Sequence, residues 1–222
     1  MTPTFRPRYI SFDCYGTLIS FRIREATVPL ISDRLDAAGV EAFMDRFRIY
    51  RLDQVLEYAP YDEIIEAAYR RTCARFGLEV RDGDIAALTS AVLTWGAHED
   101  VVSPLRKIAE HFPLVILSNA DDRHLAASVP RLGAPFHAVL TAEQAQAYKP
   151  RYQAFEYMFD TLDATPEDFL HISSHQRYDH MPAFDLGIRD KVLLDRGYDP
   201  DLPHYGAVRM DTLDEVAKAL GI

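Results

Sequence analysis

The sequence predicts an α/β fold in which helices cover both faces of a parallel β-sheet, with a block of helices inserted after the first strand. Short continuous apolar runs, such as residues 9–13 and 114–117, alternate with helical segments over most of the chain. This is the pattern of strands that are buried on both faces. Residues 22 to about 98 interrupt the alternation, because their apolar residues recur at helical spacing and no convincing strand lies among them.

The elements follow in order along the chain. The first strand is predicted at residues 9–13, and the inserted helices, which are bounded by glycine or proline, at 22–38, 41–58, 61–76 and 84–95. Later apolar runs predict strands at 114–117, 136–141, 169–173, 191–195 and 207–210, and helices lie between and after them, at 105–111, from 122, and at 151–162, 182–186 and 212–220. The sheet is therefore expected to be Rossmann-like. Residues 1–20 and 99–222 are expected to form the α/β core, and residues 21–98 an α-helical cap.

Composition limits the classes of partner. The chain has 222 residues, of which 48% are hydrophobic, enough for a packed interior. A formal charge of −10 without a long basic run makes nucleic acid and anionic membranes poor partners. The two cysteines, Cys14 and Cys73, form neither a disulfide framework nor a zinc spacing, which fits a reducing cytoplasm. No run reaches ~18 apolar residues, so no membrane span is expected.

Polar residues follow the predicted strands at the points where those strands end: Asp13, Ser118 and Asn119, Thr141, Ser173 and Ser174. In open parallel sheets, ligands bind outside the carboxyl ends of the strands. We therefore expect these groups to converge on one crevice. The helical block leaves the chain just after the first strand, so it is placed to cover that crevice.

Asp13 is the first candidate for chemistry. A carboxylate at a strand tip is suited to act as a nucleophile or a metal ligand, and Gly16 allows a tight turn behind it. Thr17 can hold the carboxylate by a hydrogen bond. The alternative is an aspartate that merely caps a loop. The residue two places after Asp13 is Tyr15, not a second acid.

Three further elements follow in sequence. Ser118 and Asn119, with nearby backbone N–H groups, can bind an anion. Lys149, held before Pro150, can be aimed inward to pair with Asp13. The segment 173–179 ends at Asp179, at the start of a helix where the dipole favours an anion. Each of these alone has an ordinary explanation as a turn, a solvated helix start or a helix cap.

Together and in this order, the four elements resemble the motif set of the haloacid dehalogenase superfamily. The resemblance implies a nucleophile at Asp13, followed by Ser118, Lys149 and the acidic loop that ends at Asp179. Phosphatases of that superfamily have a second aspartate where Tyr15 stands, and a phenol with a reference pKa of ~10 is a poor general acid near neutrality. Ser174 occupies a place where an acid that helps to hold Mg²⁺ is common.

Residues 13–18 are therefore similar to the L-2-haloacid dehalogenase branch, which needs no metal. Residues 51–58 resemble the Arg-x-x-Gln-Leu-Glu-Tyr segment of its cap, with one extra residue. The arginine of that segment contacts the leaving halide and helps to hold the substrate, and Arg51 is its natural counterpart. Arg48 is the reserve, and the alternative for both is a solvated helix face.

The chain also departs from this branch. Phe155 stands where the branch has a tyrosine, six residues after the lysine. The loop 173–179 is one residue longer than the corresponding motif and lacks its asparagine and tryptophan. His175 or Gln176 is a candidate to replace the amide, and Tyr178 to replace the indole. These departures leave the nucleophile intact and the substrate open.

The resemblance implies a hydrolase that displaces halide from small 2-haloacids, through an ester on Asp13, with no cofactor. Lys149 and Thr17 would orient Asp13, and Asp179 would act on the hydrolytic water with Ser174 and His175 in support. The residues expected to contact the substrate or the halide are Tyr15, Arg51, Ser118, Asn119, Phe155 and His175.

Other functions remain open from the sequence. The same nucleophile could cleave a strained C–N bond or act on a fluorinated acid. A Mg²⁺-dependent phosphatase and a non-catalytic binding protein are further alternatives. The expected partner is a small carboxylate, and because members of the resembling branch are often homodimers, a homodimer is one assembly that the resemblance suggests.

Overall fold

A computed structural model of the chain describes residues 5–55, 57–200 and 202–222. It divides into two compact units. One comprises the chain up to Ser20 together with Gly96–Ile222, and the other is Phe21–Trp95. Residues 96–98, which the sequence analysis placed with the helical block, belong to the first unit.

The first unit is built on a six-stranded sheet in the order β3-β2-β1-β4-β5-β6. All neighbouring strands are parallel. The strands are β1 (Tyr9–Phe12), β2 (Leu114–Ser118), β3 (Ala138–Thr141), β4 (Phe169–Ser173), β5 (Asp190–Leu194) and β6 (Val208–Met210). This confirms the predicted parallel α/β sheet.

The second unit is helical, with α1 (Ile23–Ile31), α2 (Ala37–Gln54), α3 (Tyr61–Arg75) and α4 (Asp84–Val92). Helix α2 begins earlier than predicted, so Gly39 lies in its first turn and does not end a helix. The reason is a cap, because the side chain of Asp36 accepts a hydrogen bond of 2.8 Å from the backbone N–H of Gly39. The rings of Phe43, Phe47 and Tyr69 pack together inside this unit.

The remaining helices flank the sheet of the first unit: α5 (Val102–Ala109), α6 (Asp122–Ser128), α7 (Ala142–Ala145), α8 (Tyr152–Leu162), α9 (Met181–Asp185) and α10 (Leu213–Ala219). A π-helical turn, Gln176–His180, precedes α9. Within the described part of the chain, every helix is too short or too polar to cross a membrane.

Strand β1 lies in the middle of the sheet, and its four residues are all buried. The chain runs from β1 outward through β2 to β3, and then crosses to the other side of β1 to form β4. Such a reversal of strand order leaves a crevice beyond the carboxyl ends of the central strands. The topology therefore places the residues that follow β1, β2 and β4 side by side.

Candidate active site

Asp13 lies directly after β1 and is almost completely buried. Its backbone N–H donates to the carbonyl of Ile172 in β4 at 3.0 Å, which continues the strand pairing up to the acid. The carboxylate accepts two hydrogen bonds, one on each oxygen. Thr17 Oγ1 donates to Oδ2 at 2.7 Å, and Lys149 Nζ donates to Oδ1 at 2.9 Å. The two bonds fix the orientation of the carboxylate.

The turn after Asp13 fixes Thr17. Gly16 has a φ of 95°, and a Cβ there would come within 2.7 Å of the His175 ring, so a side chain is excluded on two grounds. Because the single hydroxyl hydrogen of Thr17 goes to Asp13, its oxygen can only accept elsewhere. It accepts from the backbone N–H of Ser174 at 2.9 Å and from the Ser174 hydroxyl at 3.0 Å. Ser174 therefore acts on Asp13 through Thr17.

Lys149 is the centre of the buried charges. Its ammonium group donates to Asp13 Oδ1 at 2.9 Å, to Asp179 Oδ1 at 2.7 Å and to the carbonyl of Leu117 at 2.7 Å. Burial by itself would lower the pKa of Lys149, but the two carboxylates outweigh burial and raise that pKa above its ordinary value. Lys149 therefore stays charged near neutrality and cannot accept a proton.

Asn119 holds the backbone of Lys149. Its Oδ1 accepts from the Lys149 N–H at 2.7 Å, and its Nδ2 donates to the Lys149 carbonyl at 2.8 Å. The sequence analysis expected Asn119 to contact the substrate or the halide. Its amide is instead largely committed to placing Lys149, and one Nδ2 hydrogen remains for another partner.

Asp179 is completely buried in the π-helical turn before α9. A π-helical turn takes up one residue more than an α-helical turn, which is how the longer loop 173–179 still directs its acid inward. Oδ1 accepts from Lys149 and from His171 Nε2, the latter at 3.0 Å. Burial alone would raise the pKa of Asp179, but the charge of Lys149 and the His171 hydrogen bond outweigh it and lower that pKa.

Several buried side-chain polar atoms of the first unit find no hydrogen-bond partner among the residues that the structure describes. Ser118 Oγ, at the end of β2, and Asp179 Oδ2 are two of them, and Gln176 Oε1 and His180 Nδ1 are two others. Buried polar groups are almost always paired, so such exceptions call for a partner from outside the chain. A hydroxyl can donate to an anion, and a carboxylate oxygen can accept from a water molecule.

His175 lies beside the nucleophile turn. Its Nε2 faces Gly16, its ring stacks on Tyr198 with centroids 5.3 Å apart, and Nδ1 lies 4.0 Å from Asp199 Oδ2. The structure therefore places His175 next to the loop that carries Asp13 and Thr17. This position is compatible with the supporting role that the sequence analysis expected for His175.

Two expected substrate contacts have other surroundings. Phe155 is completely buried in a hydrophobic core cluster that includes Val115 and Leu117 of β2, and this burial argues against contact with a substrate. Tyr15 is half-buried. Its hydroxyl forms hydrogen bonds with Ser128 Oγ at 2.7 Å and with the carbonyl of His124 at 3.1 Å, which tie the phenol to α6. These two bonds occupy the hydroxyl of Tyr15.

The two candidates for the arginine that contacts the halide, Arg51 and Arg48, both lie on α2 of the helical unit. The guanidinium of Arg51 lies 5.0 Å from the centre of the Phe21 ring and 5.1 Å from that of Phe47. Its Nε finds no hydrogen-bond partner among the described residues. Arg48, on the same helix, is exposed. Rings on either side fix the Arg51 group in place by cation–π contact, whereas Arg48 lies on a solvated face.

His171 is the site residue that the sequence analysis missed. It is completely buried in β4, and its Nδ1 pairs with Ser11 Oγ of β1 at 2.9 Å. The available signal was a single titratable side chain in the apolar run Phe169–Ser173, since a polar group in a strand buried on both faces needs a partner.

Cys14, next to Asp13 in the sequence, is not a second nucleophile. Burial and the charge of Asp13 raise the pKa of Cys14, so its thiol stays protonated and is not a nucleophile near neutrality. Across residues 5–55, 57–200 and 202–222, no group of three or more His, Cys, Asp or Glu side chains is arranged to hold a metal ion.

A strand-end aspartate on a parallel α/β sheet, paired with a lysine and a second acid, defines the class of protein. The family model of the haloacid dehalogenase-like hydrolases matches residues 7–179. The chain belongs to this family of hydrolases, which confirms the resemblance found in its motifs.

Two curated relatives of the chain are (S)-2-haloacid dehalogenases. The chain is 26% identical to (S)-2-haloacid dehalogenase 4A of Burkholderia cepacia, over 79% of its own length and 75% of the relative's. It is also 26% identical to (S)-2-haloacid dehalogenase H-109 of Pseudomonas putida, over 80% and 81% of the two chains. A solved dehalogenase structure with an intermediate complex superimposes with a TM-score of 0.82, at 24% identity, covering 97% of this chain and 98% of that one. At that identity the structural likeness establishes the fold.

The charge balance around Lys149 predicts a pH-dependent loss of stability. We expect Lys149→Met to lower the free energy of unfolding near neutrality by about 3–5 kcal/mol, because it leaves buried carboxylates without a counter-charge. In the native chain, Lys149 keeps the pKa of Asp179 low, so the stabilisation is present at neutral pH and is lost only as the pH falls through that low value. Without the ammonium, burial raises the pKa of Asp179 above its unfolded value, so the variant gains stability as the pH falls.

Urea unfolding at about pH 7.5 and about pH 5 measures this effect, and the deficit of the variant should be smaller at the lower pH. The double variant Lys149→Met, Asp179→Asn is the control, and it should recover part of the lost stability at the higher pH. A deficit that is the same at both pH values would contradict this account of the site.

Proposed function

We propose that this chain hydrolyses the carbon–halogen bond of small 2-haloacids and releases 2-hydroxyacids, through an ester formed on Asp13. The observation that carries the proposal is a carboxylate fixed by Thr17 and Lys149, with Tyr15 in place of a neighbouring acid. The names of the two haloacid dehalogenase relatives support the same reaction.

The residue two positions after Asp13 decides which leaving group the site suits, because it is Tyr15 and not an acid. Cleavage of a phosphate ester expels an alkoxide, which needs a proton from a general acid with a pKa near the working pH. The hydroxyl of Tyr15 is already bonded to Ser128 and to the carbonyl of His124. A halide is a very weak base and leaves without a proton, so this arrangement suits it.

In the first half of the reaction, a carboxylate oxygen of Asp13 attacks the carbon that bears the halogen. The new C–O bond forms as the C–X bond breaks, and the halide leaves with the electron pair. Attack from the side opposite the halogen inverts the configuration at that carbon. Lys149 and Thr17 hold the carboxylate through this step. Because an ester is neutral, Asp13 loses its negative charge in this step.

In the second half, water attacks the carbonyl carbon of the ester and releases the 2-hydroxyacid. Asp179 Oδ2, which finds no partner among the described residues, is the group that we assign to this water. It accepts one proton of the water as the water attacks, and returns that proton to the oxygen of the departing 2-hydroxyacid as the ester bond breaks. The second proton of the water passes to solvent. Asp13 is regenerated as a carboxylate that carries one oxygen atom from water.

The substrate is assigned to groups with unused hydrogen-bonding capacity. The hydroxyl of Ser118, which has no partner in the described chain, donates to the substrate carboxylate. Arg51 and the remaining Nδ2 hydrogen of Asn119 are assigned to the departing halide. The ring of Tyr15 and the His175 side chain supply contact surface. The reaction so described needs no metal or organic cofactor, and its setting is proposed to be the cytoplasm.

Isotopic labelling tests the covalent step. In a single turnover in water enriched in heavy oxygen, with enzyme in excess, the label should appear in Asp13 and not in the 2-hydroxyacid, because the water attacks the Asp13 carbonyl. Mass spectrometry of the peptide that contains Asp13 and of the product measures both. Asp13→Asn should keep the fold, as judged by circular dichroism, and release no halide. Label found directly in the product would overturn the ester intermediate.

Halide release separates the haloacid reaction from a metal-dependent one. We expect release from L-2-chloropropionate that a chelator leaves unchanged, with little release from the D enantiomer and little hydrolysis of a generic phosphate ester. A halide assay with ion chromatography, and a phosphate assay with and without Mg²⁺, measure these rates. Phosphatase activity that a chelator removes, without halide release, would instead favour the phosphatase alternative.

Arg51 and Arg48 provide a matched pair on α2. Arg51→Met should lower kcat/KM for a 2-haloacid by about tenfold to a hundredfold, the cost of losing a charged hydrogen bond in the transition state. Arg48→Met, which alters an exposed residue, should leave kcat/KM within about twofold. Steady-state kinetics on L-2-chloropropionate decide between them. The reverse ranking would make Arg48 the functional arginine.

A further inference from the structure

Behind Lys149, the buried charge network continues to a histidine. His171 Nε2 lies 3.0 Å from Asp179 Oδ1, and Nδ1 lies 2.9 Å from Ser11 Oγ. Its ring packs edge-on against Phe155, with centroids 5.4 Å apart. Ser11 and His171 face each other in the pairing of β1 with β4, so the backbone itself fixes the distance between them. His171 is therefore held rigidly on three sides.

Hydrogen-bond accounting fixes the direction of these contacts. An ionised carboxylate can only accept, so the hydrogen between His171 and Asp179 lies on Nε2. In the neutral ring, Nδ1 then accepts from the hydroxyl of Ser11. The carboxylate of Asp179 thus selects the tautomer of His171, and the hydroxyl of Ser11 supplies the donor that this tautomer needs at Nδ1.

The two donors to Asp179 converge on the same oxygen. Lys149 and His171 both bond to Oδ1, while the equally buried Oδ2 finds no partner in the described residues. A carboxylate that is held by one oxygen presents its other oxygen in a fixed direction. The Lys149 and His171 contacts also keep the acid ionised despite its burial. Both conditions allow the carboxylate to accept a hydrogen bond from a water molecule and so to orient it.

We propose that His171 is a positioning residue for the second half of the reaction, and that it acts by directing Asp179 Oδ2 at the water that hydrolyses the ester. The inference rests on the proposed function. It assigns His171 to ester hydrolysis alone, because Asp13 is held for the first half by Thr17 and Lys149. The contacts of His171 are to Asp179, Ser11, Phe155 and His180, and none of them is to Asp13 or Thr17.

The test compares His171→Leu with His171→Gln, two side chains of similar size of which only glutamine keeps an N–H donor. With His171→Leu, ester hydrolysis should slow by about tenfold to a hundredfold, while the rate of the first half changes little. Rapid-quench assays should then show a burst of halide equal to the enzyme present, followed by a slow phase. Intact-protein mass spectrometry should show the ester accumulating on Asp13. His171→Gln should restore most of the hydrolysis rate.

Ser11→Ala is a milder variant that removes only the hydroxyl next to Nδ1. It should change the same half-reaction in the same direction, by less, and it keeps the test valid if His171→Leu does not fold. No halide release from the native chain would refute the proposed function itself. Halide release and Asp13 labelling in the native chain, with no burst and no accumulated ester in the His171 and Ser11 variants, would refute the role of His171 alone.

Discussion

A single buried ammonium group holds the site together. Two carboxylates, Asp13 and Asp179, lie in an interior that strongly disfavours isolated charges. The fold tolerates both of them because the ammonium group of Lys149 lies between them. The ammonium group of Lys149 is in turn held by the carbonyl of Leu117, and the backbone of Lys149 is held by the side-chain amide of Asn119. The nucleophile and the second acid are therefore positioned as one unit and not as independent residues.

The sheet explains how this unit is assembled. Because β1 is central, its carboxyl end is flanked by those of β2 and β4, with Phe12 paired to Ile116 on one side and to Ile172 on the other. Residues that are far apart in the chain thus reach one point through backbone pairing alone. Side chains then refine the geometry, as Ser174 does when it donates twice to the oxygen of Thr17. Rigid strands suit a site that must hold a carboxylate in one orientation for displacement at carbon.

The two halves of the proposed reaction draw on different sides of Lys149. On one side, Thr17 and Lys149 direct Asp13 at the substrate; on the other, Lys149 and His171 hold one oxygen of Asp179 and leave the second for water. Formation of the ester removes the charge of Asp13, so the ammonium then serves Asp179 alone. The same lysine thereby supports the nucleophile first and the general base afterwards, without a change in its own protonation.

The sequence alone predicted the alternation of strands and helices and the inserted helical block, because these depend on local pattern. It also singled out Asp13, Thr17, Lys149 and Asp179 as candidates through their motifs, and the structure brings these four together. Tertiary structure was needed wherever a residue's role depends on a distant partner. Asn119 turns toward the Lys149 backbone, Phe155 enters the core, and His171 meets a serine 160 positions away in the chain. Strand order decides which buried polar groups become neighbours, and the spacing of residues along a sequence does not contain that order.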